Sequence, residues 1–259
     1  MNIFHFYYSV VLRYIGQERL SQEQSAAIEL AFKTLRSQFG KSDKIDYSDD
    51  MSRLAYMLHY APKHAIMWRE YMRKKNTVAS RNLTVNSLGT GPGSELIGIM
   101  EGVRSGEDVT WSWFCHDSES GWLPLLSTVA EEYAKVTNVP FVVNLVDDVS
   151  GLSRGNLVIG SFLLSEIVKQ PEYRKFQKVL KEAVGPTVGR FLDITKCRLE
   201  DGSEPFLSDV YRFGFENLKK SEVPLKEVIN NEMATCGHSH CMYSLPYEPS
   251  INMFLPDLK

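Results

Sequence analysis

The chain has 259 residues, 43 % of them hydrophobic and 24 % charged, with a formal net charge of -3. That length suits one large domain, or one domain with a substantial appendage, and supports a core without metals or disulfides. Beyond Arg73-Lys74-Lys75 and Lys219-Lys220 there is no dense basic run, so no electrostatic footprint for a nucleic-acid backbone is visible.

The N-terminal run Met1-Asn-Ile-Phe-His-Phe-Tyr-Tyr-Ser-Val-Val-Leu12 is apolar, but it lacks a basic start, contains His5 and is followed by Arg13 with no small-residue cleavage site. It reads as an amphipathic helix rather than a signal peptide. No run approaches the roughly 18 apolar residues of a membrane span. The four cysteines (Cys115, Cys197, Cys236, Cys241) are spaced without a disulfide framework, which suits a reducing compartment. The expectation is a cytoplasmic protein with no membrane partner.

Ser21-Gln-Glu-Gln24 has the form of a capping box, ahead of the apolar residues Ala26, Ala27, Ile28, Leu30, Ala31 and Leu35 and a stop at Gly40. Asp43 to Asp50 is a polar linker, after which Ser48 or Asp49 caps a helix carrying Leu54, Ala55, Met57 and Leu58. Pro62 starts or kinks a further helix with Ala65, Ile66, Trp68 and Met72. Residues 1–80 thus read as a helical subdomain. His59, Tyr60, His64 and Trp68 are either part of a lid over a binding site or core residues between helices.

From residue 81 apolar strands alternate with helical periods. Strands fall near 83–88, 109–115, 139–146, 156–161 and 187–195, and helices near 93–103, 121–136 and 171–184, with a short one after Ser165. Such alternation predicts an α/β fold with a doubly wound, mostly parallel sheet. The tail, about 208–247, reads as helical and then as an antiparallel pair ending at Tyr247.

Leu83-Thr-Val-Asn-Ser-Leu-Gly89-Thr-Gly91-Pro-Gly93-Ser-Glu95 is the most informative stretch. A buried strand runs into glycines at alternate positions, where the backbone can turn tightly and approach a ligand with no Cβ in the way. The helix that follows offers free N–H groups at its start. Asp117 lies about 24 residues past Gly93, at the tip of the second strand, as an acid does where it binds a ribose hydroxyl. A dinucleotide fingerprint would require G-x-G-x-x-G. Here the spacing is Gly89-x-Gly91-x-Gly93, with Pro92 inside the loop.

That compact loop resembles the first motif of the class I S-adenosylmethionine (SAM)-dependent methyltransferases, and the resemblance extends over residues 83–195. It implies a Rossmann-like methyltransferase fold, a seven-stranded sheet with a reversed last strand, in residues 81–259, with residues 1–80 as an N-terminal helical lid. It implies SAM as cofactor. Gly89, Gly91 and Gly93 would line its methionine end through their main chain, and Glu95 would stand beside them. Asp117 would accept from both ribose hydroxyls, Trp122 would pack on ribose or adenine, and one of Asp147 and Asp148 would meet the adenine. Ser161 would stand at the exit toward the acceptor. Most members carry an acid where this chain has Ser87, a departure that Glu95 and Asp117 would have to offset.

The acceptor is less legible. Gly160-Ser161-Phe162-Leu163 lacks the Asn/Asp-Pro-Pro-aromatic motif of enzymes that methylate exocyclic base nitrogens, and no cysteine nucleophile follows the fourth strand. Ser161, Ser165 and Glu166 would position an acceptor, or Ser165 would simply cap a short helix. No catalytic residue is named, and the unidentified acceptor is a small molecule, a protein or an RNA. A methyltransferase-like protein that has lost catalysis and binds partners is the other reading. Cys236-Gly-His238-Ser-His240-Cys241 offers four zinc-type ligands, but their spacing fits a last-strand hairpin better than a tetrahedral cage, so no metal is assigned.

Overall fold

The computed structural model describes residues 1–38, 46–75, 82–103, 109–147, 157–161, 191–195, 218–221, 225–236 and 250–254. Four helices come first: α1 (Ile3–Ile15), α2 (Gln22–Gln38), α3 (Asp50–His59) and α4 (Ala61–Lys75). Then β1 (Asn82–Leu88), α5 (Ser94–Gly102), β2 (Thr110–His116), α6 (Trp122–Val136) and β3 (Phe141–Leu145) follow in strict alternation. The remaining elements are β4 (Leu157–Ser161), β5 (Phe191–Thr195), β6 (Leu218–Ser221), α7 (Leu225–Thr235) and β7 (Ser250–Phe254). The helices expected near 171–184 and after Ser165 fall outside the described residues.

The strands form one sheet in the order β3-β2-β1-β4-β5-β7-β6. Pairing is parallel from β3 to β5, while β7 runs antiparallel to both β5 and β6. The chain winds outward from β1 to β3 on one side and restarts at β4 on the other. The order therefore reverses between β1 and β4, and α/β sheets bind ligands beyond the carboxyl ends of the strands at such a point. A closing antiparallel strand is formed by Ser250–Phe254, with α7 between it and β6 in the chain; the segment ending at Tyr247, where the sequence pattern placed such a strand, lies outside the described residues.

Local chemistry accounts for the helix starts. Gln24 N–H donates to Ser21 Oγ at 3.1 Å and Ser21 N–H to Gln24 Oε1 at 2.9 Å, a reciprocal capping box. Asp49 caps α3 by accepting from Ser52 N–H at 2.9 Å. On β2, Trp111, Trp113 and Cys115 alternate onto one buried face, and the two indoles stack with centroids 5.9 Å apart.

Two glycines bring α4 against α5. A Cβ on Gly98 would stand 2.2 Å from the Ala65 carbonyl oxygen, and one on Gly102 would stand 2.6 Å from that of Arg69. Because the contacts advance together along both chains, the helices run in the same direction. Extending that register one turn back sets Ala61 beside Ser94, so α4 starts where α5 starts, at the ligand-binding edge. Residues Ser94 to Met100 of α5 are buried, and α4 is enclosed by α5, α1 and α7. Glu232 of α7 ties this layer together: it pairs with Arg69 of α4 and accepts from Ile3 N–H at 3.0 Å. Among the described residues no helix is long and apolar enough to cross a membrane.

Candidate functional site

The loop between β1 and α5 leaves the sheet at the reversal point. Gly89, Gly91 and Gly93 all have positive φ, at 60°, 50° and 73°. At Gly91 a Cβ would meet nothing within 4 Å, so it is the left-handed backbone alone that asks for glycine there. At Gly93 a Cβ would also stand 2.7 Å from Leu126 Cδ1 on α6. The turn is closed by Gly93 N–H donating to Thr90 O at 3.0 Å and by Thr90 N–H donating to His116 O at 3.1 Å.

Asp117, just past β2, meets this loop. Its Oδ2 accepts from Gly91 N–H at 2.8 Å and its Oδ1 from Glu119 N–H at 2.9 Å. Burial raises its carboxyl above the ordinary value, against these two hydrogen bonds. Each oxygen keeps a further lone pair, so the group can still accept from a ligand hydroxyl.

Glu95 occupies the first turn of α5 and is 2 % exposed. Burial pushes its carboxyl up to about 7; the Ser161 hydroxyl and its own backbone N–H act the other way, and the Asp117 charge adds to the rise. Glu95 Oε2 is buried without a hydrogen-bond partner, and so are Oγ of Ser94, next to it in the chain, and Oγ of Ser87 near the end of β1. Tyr7 reaches Ser94 from α1 without a hydrogen bond of good geometry. Buried polar atoms normally have partners, and orphans of this kind call for an explanation.

Ser161, at the carboxyl end of β4, receives Trp68 Nε1–H at 2.9 Å across from α4. Trp68, Ser161 and Glu95 thus form a chain from the N-terminal helices, across the reversal point, to the glycine loop. Trp68 is fully buried. Tyr56 and His64 pair through the hydroxyl and Nδ1 at 3.0 Å, and burial lowers the His64 imidazole to about 3, so the ring is neutral. His59 stacks on Phe32 with centroids 3.9 Å apart.

The structure therefore gathers Gly89, Gly91, Gly93, Glu95, Asp117 and Ser161 at one edge. Trp122 is buried among Tyr47 and Tyr56, with centroids 5.4 and 5.5 Å away. Asp147 is exposed past β3; Asp148, Ser165 and Glu166 lie outside the described residues. Arg53, buried on α3, pairs with Asp50, accepts the close approach of Gly121 and lies 3.9 Å from Glu119 Oε1. It links the Asp117 turn to α3, a role that nothing in the sequence pattern signalled. Ser94 was also missed, although its place directly after Gly93 marks it. Cys236 follows α7 and is disulfide-bonded. This corrects the expectation of a chain without disulfides, and it removes one thiolate from the Cys236–Cys241 cluster, whose His238, His240 and Cys241 lie outside the described residues.

Solved structures similar to this chain are SAM-dependent methyltransferases. One is the methyltransferase SibL in its apo form, at 12 % identity and a TM-score of 0.49, covering 95 % of this chain and 72 % of that one. Another is a SAM-dependent methyltransferase from Aquifex aeolicus, at 14 % identity and 0.44, covering 74 % and 92 %. A third is an O-methyltransferase family protein from Burkholderia thailandensis, at 12 % and 0.45, covering 90 % and 70 %. No family model matches the chain, and no curated protein matches it.

Proposed function

We propose that this protein is a SAM-dependent methyltransferase whose acceptor is not identified, built on a Rossmann-like seven-stranded sheet with a helical N-terminal part on the acceptor side. The observation that carries the reading is the glycine loop at the reversal of strand order, ringed by buried polar atoms that lack partners: Ser87 Oγ, Ser94 Oγ and Glu95 Oε2. Those atoms, the open space at Gly91 and the Asp117 carboxylate fit the cofactor's amino-acid end and ribose.

On this reading Glu95 takes the place of the missing acid at Ser87 and accepts from the cofactor's ammonium. The main chain of Gly89, Gly91 and Gly93 lines the methionine end, and Asp117 accepts from the ribose hydroxyls. One of Asp147 and Asp148 meets the adenine, and Trp122 packs on the ribose or the adenine. Bound SAM supplies a methyl group on a sulfonium, and the transfer asks the protein mainly for in-line positioning. Ser161, fixed between Trp68 and Glu95, stands at the acceptor side of the loop.

The alternative, a methyltransferase-like protein without catalysis, draws on Ser87. Cofactor binding separates the two. SAM or its demethylated product should bind at micromolar levels and raise the Tm of the full chain, as linkage requires. A folded protein whose Tm does not move at saturating SAM would end the enzyme reading.

A further inference from the structure

The turn that carries Asp117 is held partly by itself and partly from the N-terminal helices. Within it, Asp117 Oδ1 accepts from Glu119 N–H at 2.9 Å, Glu119 Oε1 from Gly121 N–H at 3.2 Å, and Glu119 O from Trp122 N–H at 3.1 Å. Short-range bonds of this kind close a turn on itself. They do not fix where the turn stands in the fold.

Arg53 of α3 supplies the outside hold. Its guanidinium rests directly on Gly121, where a Cβ would stand 2.2 Å from Nη1 and 2.5 Å from Cζ. Gly121 has φ -61° and ψ -15°, a backbone open to any residue. What a side chain would meet there is the guanidinium. Nη1 also lies 3.9 Å from Glu119 Oε1. On its other side the same group donates to Ser48 O at 3.0 Å and to Tyr47 O, and Nη2 pairs with Asp50. The Tyr47 ring in turn packs on Trp122, the residue after Gly121, with centroids 5.4 Å apart. One guanidinium therefore joins residues 47–50 to residues 119–121.

The joint has a cost. Arg53 is buried, and its Nε has no hydrogen-bond partner among the described residues. Stability alone gives no reason to keep a desolvated cation with an unmet donor. What the position gains is a rigid planar fork that touches two backbone segments at once.

We propose that Arg53 is a positioning residue for the cofactor's ribose: clamped on Gly121, it sets the Asp117 turn so that the carboxylate's remaining lone pairs meet the ribose hydroxyls. That the ligand is the cofactor rests on the methyltransferase reading; that Arg53 fixes the contact of Asp117 with Gly91 does not.

The experiment measures ribose preference on the full chain, as the ratio of calorimetric affinities for the demethylated product of SAM and for its 2′-deoxyribose analogue. Hydrogen exchange follows the amides of Gly91 and Glu119, both held by Asp117. The parent should prefer the ribose form at least about tenfold, the loss of one hydrogen bond to a charged acceptor. Gly121→Ala keeps every charge and suits the local backbone, yet its Cβ displaces the guanidinium. The preference should fall below about threefold, and both amides should exchange at least about tenfold faster in a protein that still unfolds cooperatively. Arg53→Lys keeps the charge without the fork and should behave the same way. A merely structural role would lower the Tm and weaken both ligands alike, leaving the ratio where it was. An unchanged ratio in Gly121→Ala, or a parent that binds the two ligands alike, overturns the proposal. A folded parent that binds neither ligand ends the methyltransferase reading instead, and exchange then judges the clamp: parent-like protection in Gly121→Ala overturns it, and lost protection upholds it.

Discussion

Gly98 of α5 lies so close to Ala65 of α4 that a Cβ on the glycine would stand 2.2 Å from the alanine's carbonyl oxygen. Backbone meets backbone there, so neither side can yield by turning a side chain. The N-terminal helices consequently cover α5 as part of one packed layer, and Trp68, one turn beyond Ala65, reaches Ser161 from it.

Gly98→Ala should therefore force α4 away from α5. Overpacking costs about 1–3 kcal/mol, and for a chain of this size each of those lowers the Tm by about 2–4 °C. The Trp68–Ser161 bond should loosen with it, so SAM affinity should fall as well. Deleting residues 1–75 should expose the buried face of α5 and give an aggregating core. A soluble truncated chain with a cooperative unfolding transition would show instead that the helices are a separable lid.

Asp117 carries structure as well as ligand. Its two oxygens hold Gly91 N–H and Glu119 N–H, and Asp117→Ala leaves both donors without that partner in a half-buried turn, at up to about 1–3 kcal/mol each. The variant should lose several degrees of Tm and at least about tenfold in SAM affinity. Asp117→Asn keeps one acceptor oxygen and should lie between it and the parent in stability. Calorimetry with parallel thermal unfolding checks both quantities, and an Asp117→Ala protein as stable as the parent would mean the carboxylate does not fix the loop.

Much of the fold was legible because local chemistry and tertiary packing agree. The β1–loop–α5 unit, β2, α6 and the capped starts of α2 and α3 all fall where strand alternation, glycine and capping residues put them. The closing strand was not legible. Several short apolar runs compete in the tail, and what selects Ser250–Phe254 is antiparallel pairing with β5 and β6, a long-range choice no local pattern encodes. The burial of Lys63, His64 and Arg69 was equally hidden, since charged residues on a helix normally read as its solvated side. His64 is covered by Tyr56 of α3 and Arg69 by Glu232 of α7, tertiary contacts that no helical period encodes. The packing of Trp122 with Tyr47 and Tyr56 was hidden for a similar reason, since both arrive from distant sequence.

The last prediction concerns Glu95 and pH. Its carboxyl titrates at about 7 in the folded protein, against an ordinary 4.5. Between those values the folded chain holds a proton that the unfolded chain has lost. The stability of the neutral form is therefore complete below 4.5 and is lost as the pH rises through 7. Glu95→Gln keeps a neutral side chain at every pH, so at about pH 8 it should be more stable than the parent by up to about 2–3 kcal/mol, and close to it at about pH 5. Function should move the other way. A cationic ammonium needs the ionised carboxylate, so the parent's SAM affinity should fall by up to about tenfold per unit as the pH drops below 7. Glu95→Gln should bind SAM at least about tenfold more weakly at pH 8, with no such pH dependence. Calorimetry across this range, in buffers of different ionisation enthalpy, also counts the proton released on binding by the parent. An affinity that stays flat through 7 in the parent would remove Glu95 from the ammonium site and return that role to a group other than the one burial has singled out.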